Sequence, residues 1–295
     1  MKLNKKLQQG ITALKEGKLQ EAESLYCEIL QTHPTHPHAN HNLGITLYAL
    51  GKLKEAEASF KKALALKPDY VEAHNNLGST LKGLGKLKEA EASFKKALAL
   101  KPDYVEANNN LGIALKGLGR LNEGEASFKK ALALKPDYVE AHNNLGITLQ
   151  KLHKLKEAEA SFKKALTLKP DYVEAHNNLG ITLKGLGRLN EAEASYKKAL
   201  ALKPDYVEAH NNLGSTLKGL GKLKEAEASF KKALALNPYY KPALLNRGQI
   251  LFEKCEFELS LKDFDTCNSA NSRFRALISL YALGRVEEIY KRIET

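Results

Sequence analysis

The chain repeats itself every 34 residues, and that property constrains its fold more than any local motif. The repeat VEAHNNLGSTLKGLGKLKEAEASFKKALALKPDY begins at Val71 and recurs with few changes at Val105, Val139, Val173 and Val207. A related repeat begins at Pro37. More divergent copies begin at Leu3 and Lys241, carried by Gly10, Gly17, Ala22, Tyr26 and Pro34 in the first and by Gly248 and Phe264 in the last. The repeats therefore run 3–36, 37–70, 71–104, 105–138, 139–172, 173–206, 207–240 and 241–274, with a partial repeat at 275–295. A length of 295 residues would ordinarily suggest about two domains, but this register makes 1–295 a single array.

Numbered 1 to 34 and turned at about 100° per residue, each repeat yields two amphipathic stripes. Ala73, Leu77, Leu81 and Leu84 (positions 3, 7, 11 and 14) form the first. After a break at Gly85, Leu87, Ala90, Phe94, Ala97 and Leu98 form the second. Pro102 stops that helix, and Asp103 followed by Glu106 reads as a capping box opening the next. Each repeat is thus a helical hairpin that cannot bury its apolar faces alone, so stacking must supply the core. Gly at position 8 and Ala at position 20 allow close approach, and Phe at 24 is expected to fill the space between repeats. Gly124 replaces that Ala in one repeat, at a cost of roughly 1 kcal/mol to its helix.

These residues resemble the tetratricopeptide repeat (TPR) family: Leu77-Gly78, then Ala90, Phe94 and Pro102, in register in the other repeats and over essentially the whole chain. Two positions depart from the family pattern. The usual Trp at position 4 is His (His74, His142, His176, His210) or Asn (Asn40, Asn108), and the usual Tyr at 11 is mostly Leu. The resemblance implies an all-α fold, a right-handed α-solenoid of about eight stacked 34-residue hairpins plus a C-terminal capping segment. Leu277 to Ile293 is expected to cap one end, and self-association through end repeats follows from the same stacking.

Catalytic signatures are absent from the sequence. Gly83-Leu-Gly85 and Gly117-Leu-Gly119 join two helices instead of following a strand, and neither GxGxxG nor GxxxxGK[ST] occurs. No GxSxG elbow and no HExxH is present, so no enzyme activity and no cofactor is expected. His33, His36, His38 and His41 gather where the first two repeats meet, but Pro34 and Pro37 mark a linker and no thiol or carboxylate completes a ligand set. No metal is expected there. The position-4 histidines lie beside the apolar stripe and read as packing groups. Cys27, Cys255 and Cys267 form no CxxC and read as reduced thiols; with no apolar span and no signal-peptide core, a cytoplasmic location and no membrane partner are expected.

The informative surface lies opposite the apolar stripe of the first helix. Positions 2, 6, 9 and 13 share an arc of about 60°, flanked by 5 and 12. Position 6 is Asn in seven successive repeats: Asn42, Asn76, Asn110, Asn144, Asn178, Asn212 and Asn246. Asparagine is a mediocre helix former, so its recurrence breaks a local rule where function is often found. The row resembles the asparagine ladder in the TPR superhelix of O-linked N-acetylglucosamine transferases, where successive amides hold the backbone of an extended peptide. A side-chain amide has one acceptor and two donors, so it can pair with a peptide unit's N–H and C=O together. Glu72, Glu106, Glu140, Glu174 and Glu208 match that family's acidic position 2, and either cap the helix or meet the ligand.

The ladder alone should barely offset the ordering of a peptide: roughly 1 kcal/mol per bond opposes about 1–2 kcal/mol per residue. Further contacts are expected from Ile113, Ile147 and Ile181 at position 9 and from Lys82, Lys116, Lys184 and Lys218 at position 12. The predicted function is a protein-interaction scaffold that binds extended protein or peptide segments. The alternative is the substrate-docking region of a larger transferase or oxygenase, since the sequence also resembles N-terminal TPR arrays of bacterial multidomain proteins. Nucleic-acid binding is disfavoured, because +10 of the net charge of +12 spreads over the repeats from Pro37 to Tyr240, mostly as lysines at 18, 25 and 26 on the outer side of the second helix.

Overall fold

The computed structural model describes residues 2–293, and among these the regular structure is eighteen α-helices with no strand. Met1, Glu294 and Thr295, which the sequence reading includes in the array, lie outside the described residues. The chain divides into two compact units, 1–152 and 153–295. The N-terminal unit holds α1 (Lys2–Lys15), α2 (Leu19–Thr32), α3 (Pro37–Ala49), α4 (Leu53–Leu66), α5 (Val71–Gly83), α6 (Leu87–Leu100), α7 (Val105–Gly117), α8 (Leu121–Leu134) and α9 (Val139–Lys151). The C-terminal unit holds α10 (Leu155–Leu168), α11 (Val173–Gly185), α12 (Leu189–Leu202), α13 (Val207–Gly219), α14 (Leu223–Leu236), α15 (Lys241–Glu253), α16 (Phe257–Cys267), α17 (Ala270–Ala282) and α18 (Val286–Ile293).

Within the N-terminal unit α1 packs on α2, α3 on α4, α5 on α6 and α7 on α8, and each second helix also packs on the first helix of the next hairpin. The C-terminal unit follows the same rule from α11 with α12 to α17 with α18. The turn inside a hairpin falls at position 15, where Gly51, Gly85, Gly119, Gly187 and Gly221 take φ between 74° and 77°. His153 and Cys255 hold that position with φ of 58° and 60°, in the left-handed region that side chains rarely enter.

Between hairpins, Lys-Pro-Asp-Tyr forms a turn closed by the Tyr70 N–H donating to the Lys67 carbonyl at 3.2 Å, with proline in the second place where its fixed φ belongs. This corrects the expected capping box. The aspartate is spent inside the turn, Tyr70 and Tyr104 occupy the N-caps of α5 and α7, and neither makes a side-chain cap bond. Glu72 and Glu106 remain exposed in the first turn, where the helix dipole favours a negative charge.

The core repeats with the sequence. Phe94 is fully buried with its ring against Gly78 of the same hairpin, so close that a Cβ on Gly78 would stand 2.6 Å from the ring. Its cluster continues into Leu111 and Leu115 of the next hairpin, as the expectation of a gap-filling Phe required. In the C-terminal unit a Cβ on Gly214 would stand 2.7 Å from the Phe230 ring, and one on Gly180 would stand 2.6 Å from Tyr196. Tyr196 stands where the sister repeats have Phe, and its buried hydroxyl has no hydrogen-bond partner among the described residues.

Polar staples add to the stacking. Glu57 accepts from Lys61 of its own helix at 2.6 Å and from Lys86 of the next hairpin at 2.9 Å. Glu91 does the same with Lys95 at 2.6 Å and Arg120 at 2.7 Å, and in the C-terminal unit Glu193 pairs with Lys197 and Lys222. These hydrogen bonds, from Lys61 first in the case of Glu57, hold the carboxyl below the usual carboxylate range. At the C-terminal end α16 has 11 residues and stops at a left-handed Asn268, so α17 opens at Ala270, ahead of the 34-residue register, with a Ser269–Ser272 capping box.

Candidate functional site

The side chains of Asn76, Asn110, Asn144, Asn212 and Asn246 at position 6 are aimed by the hairpin before them. In the N-terminal unit Asn110 donates through Nδ2 to Asn75 Oδ1 at 3.1 Å, and Asn144 donates to Asn109 Oδ1 at 3.3 Å. In the C-terminal unit Asn212 donates to Asn177 and Asn246 to Asn211, both at 3.1 Å. The acceptors, at position 5, are buried, whereas the position-6 amides stay half-buried at the surface. Threonine at position 10 holds the backbone beneath them: Thr80 donates to the Asn76 carbonyl at 2.8 Å and Thr216 to that of Asn212 at 2.9 Å. Each such amide spends one N–H on its predecessor and keeps an oxygen and a second N–H. That remainder still matches the N–H and C=O of one peptide unit.

Position 5 is the residue type whose role the single-helix plot missed. The signal was present as the recurring Asn-Asn pair, but an angular plot of one helix does not show which neighbour the first amide meets. His41 takes the acceptor role for Asn76. The Asn76 amide N–H can only donate, so His41 Nε2 accepts at 3.1 Å; His41 Nδ1–H then donates to the Tyr70 hydroxyl at 3.0 Å, and that hydroxyl donates to His38 Nδ1 at 3.0 Å. Burial pushes the His41 imidazole down to about 4, in keeping with this neutral tautomer. His36 caps α3, its Nδ1 accepting from the Ala39 N–H at 3.1 Å. Among the described residues no group of three or more His, Cys, Asp or Glu side chains is placed to hold a metal ion.

The position-4 residues have a specific structural job. His74 Nε2 donates to the Pro68 carbonyl at 2.8 Å and His210 Nε2 to that of Pro204 at 2.8 Å, while Asn108 reaches the Pro102 and Tyr104 carbonyls. These bonds lock the inter-hairpin turn against the helix that follows.

The remaining predicted contacts divide by unit. Ile113 and Ile147 are half-buried beside the amides, and Ile181 is exposed. Lys82 and Lys116 are half-buried, and burial lowers both ammonium groups; for Lys116 the charges of Lys151 and Lys82 add to the effect. In the C-terminal unit burial lowers the Lys184 ammonium as well, but Lys184 donates to Ser215 Oγ at 2.6 Å, and Lys218 pairs with Glu253 at 3.2 Å.

Stacked helical hairpins with an amide-lined face and a locked turn define a helical-repeat interaction scaffold, a class that recognises other proteins through its exposed helix faces. Comparison with known families gives the same answer in sequence terms: the tetratricopeptide repeat profile matches residues 38–103, 103–171, 140–205 and 171–238, and the chain belongs to that family. Among solved structures it is similar to YrrB, described as a TPR protein with an unusual peptide-binding site, at 25% identity and TM-score 0.54 over 63% of this chain and 95% of that one. The type IV pilus biogenesis factor PilW matches at 29% identity and TM-score 0.65, over 70% of this chain and 96% of its own. A tetratricopeptide repeat protein from Parabacteroides merdae ATCC 43184 shares the fold at 21% identity and TM-score 0.66, over 83% and 98%. No curated protein matches the chain. No helix among the described residues is long and apolar enough to cross a membrane.

Proposed function

We propose that the chain is a non-catalytic scaffold that holds extended peptide segments against its amide-lined face, with Asn42, Asn76, Asn110, Asn144, Asn178, Asn212 and Asn246 pairing with the peptide backbone. The observation that carries this reading is the pre-aiming of the amides: Asn110 and Asn144 are each fixed by a buried neighbour yet keep a donor and an acceptor unspent. A pre-organised site loses less entropy on binding than a free side chain would. Ile113 and Ile147 add apolar contact, and the half-buried Lys82 and Lys116 favour acidic segments, since a carboxylate restores the solvation that burial removed. YrrB, a similar array, is a TPR protein with an unusual peptide-binding site, which supports the class of ligand. The three cysteines are free, in keeping with a cytoplasmic setting.

The test is fluorescence anisotropy with a labelled (Asp-Val-Ser)4 peptide, whose β-branched residues favour an extended chain. The Asn110→Ala/Asn144→Ala variant should bind it at least tenfold more weakly. Because that variant strips donors from the buried Asn75 and Asn109 oxygens, it should also lose about 1–3 kcal/mol of stability per site, so helicity must be checked at the assay temperature. Unchanged affinity in a folded variant sinks the ladder.

A further inference from the structure

A second, different surface recurs in both units. In the N-terminal unit a groove of about 640 Å³ opens between α4 and α6, above the start of α5. Its floor is Leu64, Leu77 and Leu100, its rims carry Lys61 and Lys96, and His74 closes one end. Position by position the same groove appears twice in the C-terminal unit. One, of about 680 Å³, has Leu166, Leu179 and Leu202 with Lys163 and Lys198; the other, of about 600 Å³, has Leu200, Leu213 and Leu236 with Lys197 and Lys232. Positions 4 and 7, which supply the first-helix part of the floor, lie about 160° and about 100° around that helix from the position-6 asparagine. The grooves are therefore separate from the amide face.

Two features exceed what the fold needs. The position-30 leucines (Leu100, Leu202 and Leu236) are each 45% exposed and lie outside the buried core, yet the same apolar residue recurs at the groove edge. The rim lysines are of two kinds. Lys61 and Lys197 are held at 2.6 Å by Glu57 and Glu193 of their own helices, whereas Lys96, Lys198 and Lys232 are exposed and form no ion pair among the described residues. An apolar floor with an unneutralised cation on its rim is complementary to a segment carrying aliphatic side chains between carboxylates. A phosphate backbone would gain the lysines but waste the leucine floor, and no Phe, Tyr or Trp lines any of the three grooves for a base to stack on, while the His74 and His210 rings are held by the Pro68 and Pro204 carbonyls.

The geometry points to these outer grooves as docking sites for an acidic, leucine-bearing amphipathic segment of a partner protein, independent of any peptide on the amide face. Successive grooves lie one repeat apart in the C-terminal unit, so a partner with several such segments would gain by multivalency.

The test uses the full chain and a labelled 14-residue helix-forming probe with leucines at i, i+3 and i+7 and Asp or Glu at most other places. Wild type should bind this probe and should not bind the same peptide with Lys in place of the acids. Lys96→Glu/Lys198→Glu/Lys232→Glu and, separately, Leu100→Ser/Leu202→Ser/Leu236→Ser should each weaken binding at least tenfold. These positions are exposed, so helicity should be kept, and Asn110→Ala/Asn144→Ala should bind the probe as wild type does. The proposal is overturned if wild type ignores the probe, if either outer variant binds it normally while folded, or if the asparagine variant alone abolishes binding. It is equally overturned if the chain sediments with vesicles of 30% phosphatidylserine, loses this in the leucine variant and ignores the peptide, which would assign the grooves to a lipid surface.

Discussion

Helices α5 and α11 have sequences that differ at one residue, Ser79 against Ile181, yet the lysine each carries at position 12 ends in a different state. Lys82, in the N-terminal unit, is half-buried and unpaired among the described residues; Lys184, in the C-terminal unit, is exposed and donates to Ser215 Oγ at 2.6 Å. The cause lies one hairpin further on. Position 9 of the following repeat is Ile113 after Lys82 and Ser215 after Lys184, and an isoleucine offers an ammonium group nothing. Position 9 after Lys116 is likewise an isoleucine, Ile147, whereas Lys218 finds Glu253 at 3.2 Å. In a chain of near-copies, chemical individuality resides in neighbours across the stack, and a residue's own helix is a poor guide to its state.

The largest test of the comparison concerns what the units share. Gly78→Ala and Gly214→Ala should each cost about 2–3 kcal/mol in urea unfolding, because each new Cβ would press on a buried ring. Clearly unequal losses would mean that the units differ in backbone packing as well as in side chains. Next comes the contrast itself: Lys82→Ala/Lys116→Ala should weaken binding of (Asp-Val-Ser)4 about tenfold, about 1.4 kcal/mol, whereas Lys184→Ala/Lys218→Ala should change it less than threefold. Equal effects would show that pairing inside the array does not govern ligand contact. Tyr196→Phe should make its hairpin match its sisters and raise stability by about 1 kcal/mol, since the buried hydroxyl is unsatisfied; a loss on calorimetry would reveal a partner for that hydroxyl. The smallest change is Gly124→Ala, expected to add about 0.5–1 kcal/mol. The new Cβ would meet the Gly112 carbonyl oxygen at 3.2 Å, a fit the sister repeats already make with Ala90 and Ala226. A lower melting temperature would count against the register.

Much of this was legible from periodicity. The hairpins, the glycine turns and the apolar stripes of the core follow from spacing alone, because burial forces a 3.6-residue rhythm on each helix. What stayed hidden were bonds between hairpins. Asn75 reads as a flanking polar residue until α7 is laid beside α5 and Asn110 reaches it. Glu91 reads as an i,i+4 partner of Lys95, and only stacking brings Arg120 to its other oxygen. The Asp103–Glu106 pair misled for a different reason. The same spacing fits a capping box and a proline turn, and Pro102 in the second place decided for the turn.

The asparagine bonds within each unit all run one way, from a donor in the later hairpin to an acceptor in the earlier one. An amide fixed by such a bond presents its oxygen and spare N–H in the same orientation at every step. The face therefore has a head and a tail. A strand laid along it would meet matching groups in one chain direction and mismatched groups in the other, so every bound segment should lie with its N-terminus toward the same end of the unit, whatever its sequence.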